Sequence, residues 1–213
     1  LTFDGLVDPD RPEDPESYSE SLLQVNETLY ETHTDGGRTA APVPADEYLT
    51  DIVLKPHGIG NCAADLINVH YSKNVEIGEF RVIGPAGVKY LKGDVEDHNG
   101  EIVYVGNPPK AYPLDETHDV HIHHIDASAG YGHAELVDLK AGTHHCVVEY
   151  CTSAGGGKTG DETTPVVVSH NGHHNVVRWN EIFDCAIPVE FDAGYPDLTY
   201  VNDLYGNSLH DYT

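Results

Sequence analysis

The sequence repeats itself: HHCVVEYC at 144–151 returns 29 positions later as HHNVVRWN at 173–180. The two histidines and the two valines are identical, Glu149 is replaced by the oppositely charged Arg178, and Tyr150 is replaced by Trp179. A repeat of roughly 20–50 residues is typical of stacked supersecondary units. The valines and the glycines nearby favour coils of a parallel β-helix over helical repeats.

The chain around this repeat is a series of short apolar runs, separated by Gly, Asn and Asp, from Tyr48 onward. Such runs with turn signals between them predict an all-β fold. We predict a right-handed parallel β-helix, since a β-sandwich would show the same strand density without columns of like residues. The coils are predicted to start near Val53, Val75, Ile102, Val120, Val147, Val176 and Leu198.

Stacked coils bring residues of successive repeats into columns, because neighbouring strands lie about 4.8 Å apart. Glu149 is then expected against Arg178, and Tyr150 against Trp179, so that charges and rings attract in register. Two further columns are predicted beside each other. One holds Lys73, His118, His145 and His174, and the other holds Asn74, Asp119, Cys146 and Asn175 as a hydrogen-bonded ladder.

The N-terminal part differs from the rest, because residues 1–47 are polar and rich in proline. We predict that 1–47 form a lead-in or cap and that 48–213 form the β-helix, since the open end of a stacked fold presents unpaired strand edges. The chain contains no Met, so we expect a processed or trimmed N terminus.

The net charge of −25, from 36 acidic and 11 basic residues, opposes binding to nucleic acid or to an anionic membrane. No run of about 18 apolar residues is present that would span a membrane. Acidic residues spread along the whole chain are typical of proteins from salt-loving organisms, where salt screens their repulsion, although an ordinary acidic secreted protein is the alternative. We expect an extracellular protein.

Three stretches resemble the right-handed parallel β-helix proteins of the pectate-lyase-like superfamily: ADLINVHYSKNVEIGEFRVIG, AELVDLKAGTHHCVVEYCTSAGGG and HHNVVRWNEIFDCAIPVEFDAG. The resemblance covers about residues 48–200. It implies a polysaccharide lyase, a glycoside hydrolase, a surface adhesin or a viral fibre, and the fold by itself does not choose among them.

For a lyase, the resemblance implies a basic residue that removes the proton beside a uronate carboxylate, with a second cation or calcium to offset the charge. Lys140 is the candidate base, since it follows the predicted strand Val137-Asp138-Leu139. Asp138 would tune its basicity, and Arg178 is a candidate cation unless it pairs with Glu149. The alternative is that Lys140 is a solvated surface lysine.

A hydrolase would need paired carboxylates. Candidates are Asp138, Glu135, Glu190 and Asp192.

Two groups of residues are candidate metal ligands. A column of His118, His145 and His174 offers imidazoles to zinc or another transition metal, and a structural ladder of rings is the alternative. The loop with Asp94 and Asp97 is rich in the oxygen ligands that calcium prefers, and a solvated acidic loop is the alternative. Calcium is the first expected cofactor, and a transition metal is the second.

We therefore predict one of two functions. The first is a secreted β-helix protein that acts on or binds carbohydrate, with a polysaccharide or cell-surface glycan as its partner. The second is a non-catalytic fibre, adhesin or assembly subunit, in which self-association into a homo-oligomer is expected.

Overall fold

The computed structural model describes residues 2–4, 23–25, 30–32, 38–40, 43–62, 64–87, 100–107, 111–112, 114–129, 135–154, 165–170, 172–185, 187–192 and 202–210. All the regular elements within these residues are β-strands. They are β1 (Thr2–Asp4), β2 (Leu23–Val25), β3 (Tyr30–Thr32), β4 (Arg38–Ala40), β5 (Leu49–Leu54), β6 (Gly58–Gly60), β7 (Ile67–Val69), β8 (Ser72–Val82), β9 (Val103–Val105), β10 (Ala111–Tyr112), β11 (His118–Ala127), β12 (Val137–Leu139), β13 (Val147–Glu149), β14 (Thr152–Ala154), β15 (Pro165–His170), β16 (Val176–Arg178), β17 (Glu181–Phe183), β18 (Ile187–Asp192), β19 (Asp203–Tyr205) and β20 (Ser208–His210).

The strands form three parallel faces around one core, and the chain visits them in the same order in each coil. The first face is β5-β8-β11-β13-β16-β19, and the third face is β2-β7-β9-β12-β15-β18. The second face contains β1, β6, β14, β17 and β20, together with the second halves of β8 and β11, which continue across the bend from the first face. The predicted all-β parallel β-helix is therefore confirmed.

The 29-residue repeat stacks as predicted. Val147 pairs with Val176, and Glu149 pairs with Arg178, in the parallel ladder of β13 and β16. The rings of Tyr150 and Trp179 lie with their centroids 5.2 Å apart and 25° between their planes.

The register of the preceding coil differs from the prediction by one residue. The residue that pairs with Val147 is His121 rather than Val120. Val120 points into the core and is 1% exposed. Ile102 lies beside the third face, so it does not start a coil of the first face. Leu198, the last predicted coil start, lies outside the described residues.

Two columns of residues with positive φ mark the bends on either side of the first face. The column before this face contains Asp51, Asn74, Asp119, His145 and His174, with φ between 54° and 60°. The column after it contains Glu79, His124, Tyr150, Trp179 and Gly206. Left-handed backbone is uncommon outside glycine, although Asn, Asp and His are enriched there. These columns turn the chain at the same place in each coil.

Asparagine ladders hold the last coils together beside these bends. The Cys146 N–H donates to Asn175 Oδ1 at 2.9 Å, and the Asn175 N–H donates to Asn202 Oδ1 at 2.9 Å. A second ladder repeats the arrangement, since the Cys151 N–H donates to Asn180 Oδ1 at 2.9 Å. The predicted ladder is confirmed for Cys146 and Asn175, while the one-residue shift places Asp119 beside His145 instead.

The core consists of aliphatic side chains from all three faces, and cysteines share it. Cys146 and Cys151 are 0% and 1% exposed, and burial raises the pKa of each thiol to about 12. The largest fully buried side chains include Tyr71, Ile59, Leu66, Ile67, Ile77, Ile102, Ile122, Ile125, Leu139 and Ile182.

Strands from the N-terminal part extend the faces. β1 pairs in parallel with β6, and β2 pairs in parallel with β7, while β3, β4 and β10 form a small separate sheet. The division into 1–47 and 48–213 stays a prediction. The described part of the chain contains no apolar helix of membrane-spanning length.

Candidate active site on the third face

Lys140 follows β12 at the edge of the third face. Val137 and Leu139 point into the core and are 0% exposed, so the alternation of a strand directs Asp138 outward. Lys140 forms an ion pair with Asp138, and their side chains are 15% and 2% exposed. The lysine is therefore a largely buried cation rather than a solvated surface residue.

Two side chains from preceding coils extend this site. Tyr104 of β9 is the direct neighbour of Asp138 in the ladder, and Lys140 Nζ lies 4.9 Å from the centroid of its ring. His70 follows β7 one coil earlier, and its ring centroid lies 6.0 Å from that of Tyr104. Consecutive coils thus bring a histidine, a tyrosine and a lysine together on one face.

A column of buried carboxyl groups lies immediately before the same strands. Asp65, Glu101 and Glu135 precede the third face in consecutive coils and are 8%, 1% and 8% exposed. Carboxylate oxygens of Glu101, Glu135 and Asp138 lie within 4.8 Å of one another. This acid cluster, defined as Asp65, Glu101, Glu135 and Asp138, has Lys140 as its neighbouring cation.

Burial and like charges raise the pKa values of the two glutamates in the cluster. Burial, followed by the charge of Asp138, raises the pKa of Glu135 to about 8, although Lys140 opposes the shift. Burial and Asp65 raise the pKa of Glu101 well above its usual range. Burial alone would lower the pKa of Lys140, but Asp138 and the glutamates outweigh it and raise that pKa. Lys140 is therefore an ammonium at neutral pH.

The site contains three groups that could take part in chemistry: the Lys140 cation, the Glu135 carboxyl group with its pKa of about 8, and the Tyr104 phenol beside the cation. A general base needs an unprotonated form at the working pH. The base role predicted for Lys140 is untested, and the resting ammonium suits proton donation or charge neutralisation better. The oxygens of Glu101, Glu135 and Asp138 are also of the kind that a hard cation prefers, although Lys140 already supplies the positive charge.

Arg178, the third predicted catalytic residue, lies on the first face and not on the face of Lys140. Its Nε donates to Glu149 Oε2 at 2.5 Å, and its Nη1 donates to the Tyr205 hydroxyl at 2.8 Å. The guanidinium also lies 4.4 Å from the Trp179 ring. The structure therefore brings Lys140 and Asp138 together and places Arg178 in a separate network.

The predicted column of His118, His145 and His174 is wrong in its first member. His118 stacks on His144, with ring centroids 4.7 Å apart, because the register is shifted by one residue. His145 stacks on His174 as predicted, at 5.3 Å. The predicted calcium ligands Asp94 and Asp97 lie outside the described residues.

Sequence reasoning missed Tyr104, Glu101 and Asp65. The pattern that could have revealed them is the spacing of the apolar runs that contain Ile67, Val103 and Val137. These three residues form one ladder on the third face. The sequence predicts that Ile102 starts a coil of the first face, whereas Tyr104 lies on the third face beside Asp138.

Parallel registers on three faces define the chain as a parallel β-helix protein. The crystal structure of an alginate lyase from Paenibacillus sp. str. FPU-7 is similar, with a TM-score of 0.57 and 16% sequence identity. The alignment covers 75% of this chain and 62% of that one, so it spans less than two thirds of the enzyme. This likeness shows the fold alone. No protein-family model matches the chain, and no curated protein matches it.

Proposed function

We propose that the chain is a polysaccharide lyase that cleaves an acidic glycan by β-elimination at the third face. One observation carries the proposal: Tyr104, Asp138 and Lys140 come together outside the core, with the Lys140 ammonium 4.9 Å from the Tyr104 ring. The fold it shares with an alginate lyase supports the substrate class, since alginate is a polyuronate.

In such a reaction a base takes the proton at C5, the electron pair forms the C4–C5 double bond, and the C4–O4 bond breaks. The leaving oxygen takes up a proton, and a cation offsets the uronate charge. We assign the cation and the proton donor to Lys140, because its ammonium is the resting form. We assign proton removal to Tyr104, since it is the direct ladder neighbour of Asp138 and its ring lies 4.9 Å from the Lys140 ammonium.

Incubation with alginate, polygalacturonate and a neutral glycan tests the proposal through ultraviolet absorbance of the unsaturated product. Tyr104→Phe and Lys140→Met are each expected to reduce kcat at least 100-fold, in the range of a lost general acid or base. Arg178→Met is the matched control and should keep the wild-type rate. Absence of product from every acidic glycan, with and without calcium, would remove the lyase assignment.

The net charge of the chain predicts that the reaction rate depends on the salt concentration. A net charge of −25 repels an anionic polysaccharide, so we expect the rate to rise with added salt or calcium. We also propose an extracellular, salt-rich setting, for which the unfolding midpoint should rise between low and molar KCl. A midpoint that falls with salt would contradict this setting.

A non-catalytic assembly subunit is the second candidate, because the third face is largely covered. Tyr104 is 9% exposed and Asp138 is 1% exposed, which leaves Lys140 as the most accessible of the three. Sedimentation of the full chain separates the candidates. A homo-oligomer without product formation supports assembly, and an active monomer contradicts it.

A further inference from the structure

Five histidines gather at the bend between the third and first faces, on three successive coils. Ring stacking joins the coils: His144 lies between His118 and His173, at 4.7 Å and 5.0 Å, with planes 6° and 13° apart. His145 stacks on His174 at 5.3 Å. We call His118, His144, His145, His173 and His174 the imidazole array.

Within each of two coils the array presents two nitrogen atoms side by side. His144 Nδ1 is hydrogen-bonded to His145 Nδ1 at 2.8 Å, and His173 Nδ1 to His174 Nδ1 at 2.9 Å, so an ion bound by either pair would take the place of the shared proton. The left-handed backbone of His145 and His174, with φ of 55°, turns each ring toward its predecessor. The fold therefore presents the same pair twice.

This separation matches two neighbouring ligands of one metal ion. With metal–nitrogen bonds of about 2.0–2.1 Å, two ligands at a right angle lie about 2.9 Å apart, and two at a tetrahedral angle about 3.4 Å apart. Right angles occur in the square-planar and tetragonal geometries of Cu(II) and Ni(II), which imidazole nitrogen suits well. The pair geometry therefore favours these ions over zinc.

The surroundings favour binding too. His145 and His174 are exposed, so an ion reaches them from solvent, and the acidic surface concentrates cations near it.

We propose that the imidazole array is a binding site for a Cu(II)-type transition-metal ion, held by the Nδ1 atoms of one adjacent histidine pair. Water completes the coordination, because stacked rings about 5 Å apart do not reach the same ion without shifting. Two divalent ions about 5 Å apart repel each other, which weakens the second binding event roughly a hundredfold or more. The array therefore takes one ion tightly. This site is independent of the lyase proposal.

A third histidine pair in the chain provides the control. His123 Nδ1 lies 2.9 Å from His124 Nδ1, but His123 is 5% exposed and its Nε2 contacts Glu76 at 3.0 Å. His123 is therefore far more buried than His145 and His174, and its other nitrogen is already paired with a carboxylate. His124 also has a positive φ of 50°, so the same substitution is possible at both sites.

The experiment titrates the full, tag-free chain with Cu(II) chloride and follows calorimetry and electron paramagnetic resonance. The test variant is His145→Asn with His174→Asn, because Asn74 already occupies this column with φ of 55°. The control variant is His124→Asn. We expect one equivalent in the wild type with hyperfine coupling to imidazole nitrogen, at least a tenfold loss of affinity in the test variant, and no change in the control.

Circular dichroism establishes that each variant is folded, and the single variant His145→Asn replaces the double variant if the latter is not. The single variant should bind one equivalent about twofold more weakly, because one of the two equivalent pairs remains. Unchanged affinity in the test variant, or an equal loss in the control, would overturn the proposal. Tighter binding of Zn(II) than of Cu(II) would overturn the tetragonal geometry.

Discussion

Glu149 on the first face and Glu135 on the third are equally buried, at 7% and 8% exposed, but their carboxyl groups behave in opposite ways. Burial would raise the pKa of Glu149, yet hydrogen bonds from Arg178 and His121 outweigh it and hold that pKa below the usual range. Burial raises the pKa of Glu135 to about 8, Asp138 adds a like charge, and the Glu135 Oε2 has no hydrogen-bond partner among the described residues.

Charged partners, together with the depth of burial, therefore decide whether a buried acid in this fold is ionised. On the first face the ladder places opposite charges side by side, with Glu149 against Arg178. On the third face it places like charges in one column, with Lys140 as the nearby cation. A buried acid that pairs with a cation stays ionised, whereas one among like charges keeps its proton and suits chemistry.

The largest expected loss of stability comes from removing a cation, Lys140 on the third face or Arg178 on the first. Lys140→Met leaves Asp138 and the glutamates without a counter-charge and should lower the free energy of unfolding by about 3–5 kcal/mol at pH 8. Arg178→Met is the control, and should cost about 1–2 kcal/mol because His121 still contacts Glu149 at 2.8 Å. Urea unfolding measures both, and equal losses would break the comparison.

Glu135 should give the third face a stability that falls as pH rises. Its folded pKa of about 8 lies above the unfolded value near 4.5, so its contribution is complete below pH 4.5 and is lost on the way to pH 8. Glu135→Gln should flatten this limb and stabilise the protein by about 2 kcal/mol at pH 8 relative to pH 5. Urea unfolding between pH 5 and pH 8 measures it, and an unchanged slope would contradict the assignment.

His144 should give the opposite slope on the acid side. Its folded pKa of about 4 lies below the unfolded value near 6.5, so stability present above pH 6.5 is lost as pH falls to 4. His144→Gln should remove roughly 1–2 kcal/mol of this loss, a discounted figure because the ring is partly exposed. The same unfolding series, extended to pH 4.5, measures the change. A wild-type profile without an acid limb would contradict it.

The smallest change in stability is expected from the exposed stack of Tyr150 on Trp179. Tyr150 is 46% exposed and has a φ of 55°, which Asn tolerates better than Tyr. Tyr150→Asn loses ring stacking on Trp179 and relieves the backbone, so stability should change by less than about 0.5 kcal/mol. A thermal melt measures it. A large loss would show that the column stabilises the coils more than the ladders do.

Two copies of one eight-residue motif, identical at four positions, made the first face predictable. The shared HHxVV pattern gave the pairing of Val147 with Val176, because identical residues fix the register. The predicted register of the coil before it was wrong by one residue, since an apolar side chain is acceptable on both sides of that strand. Val147 points outward where His121 does, and Cys146 fills the inward place of Val120.

The third face was less predictable, because its ladder spacing varies from coil to coil. Ile67, Val103, Val137 and Val167 are neighbours although 36, 34 and 30 residues separate them in turn. Loops of unequal length hide such a period. Lys140 and Asp138 were found from their own strand, whereas Tyr104 depends on contacts between coils.

The thiols of Cys146 and Cys151 provide an internal reporter of opening. Both lie in the core, beside backbone amides fastened to the asparagine ladders. A thiol with a pKa of about 12 reacts slowly with alkylating reagents, because the thiolate is the nucleophile. Their labelling rate should therefore count rare separations of adjacent coils, and would show whether the stack frays from its ends or comes apart as a whole.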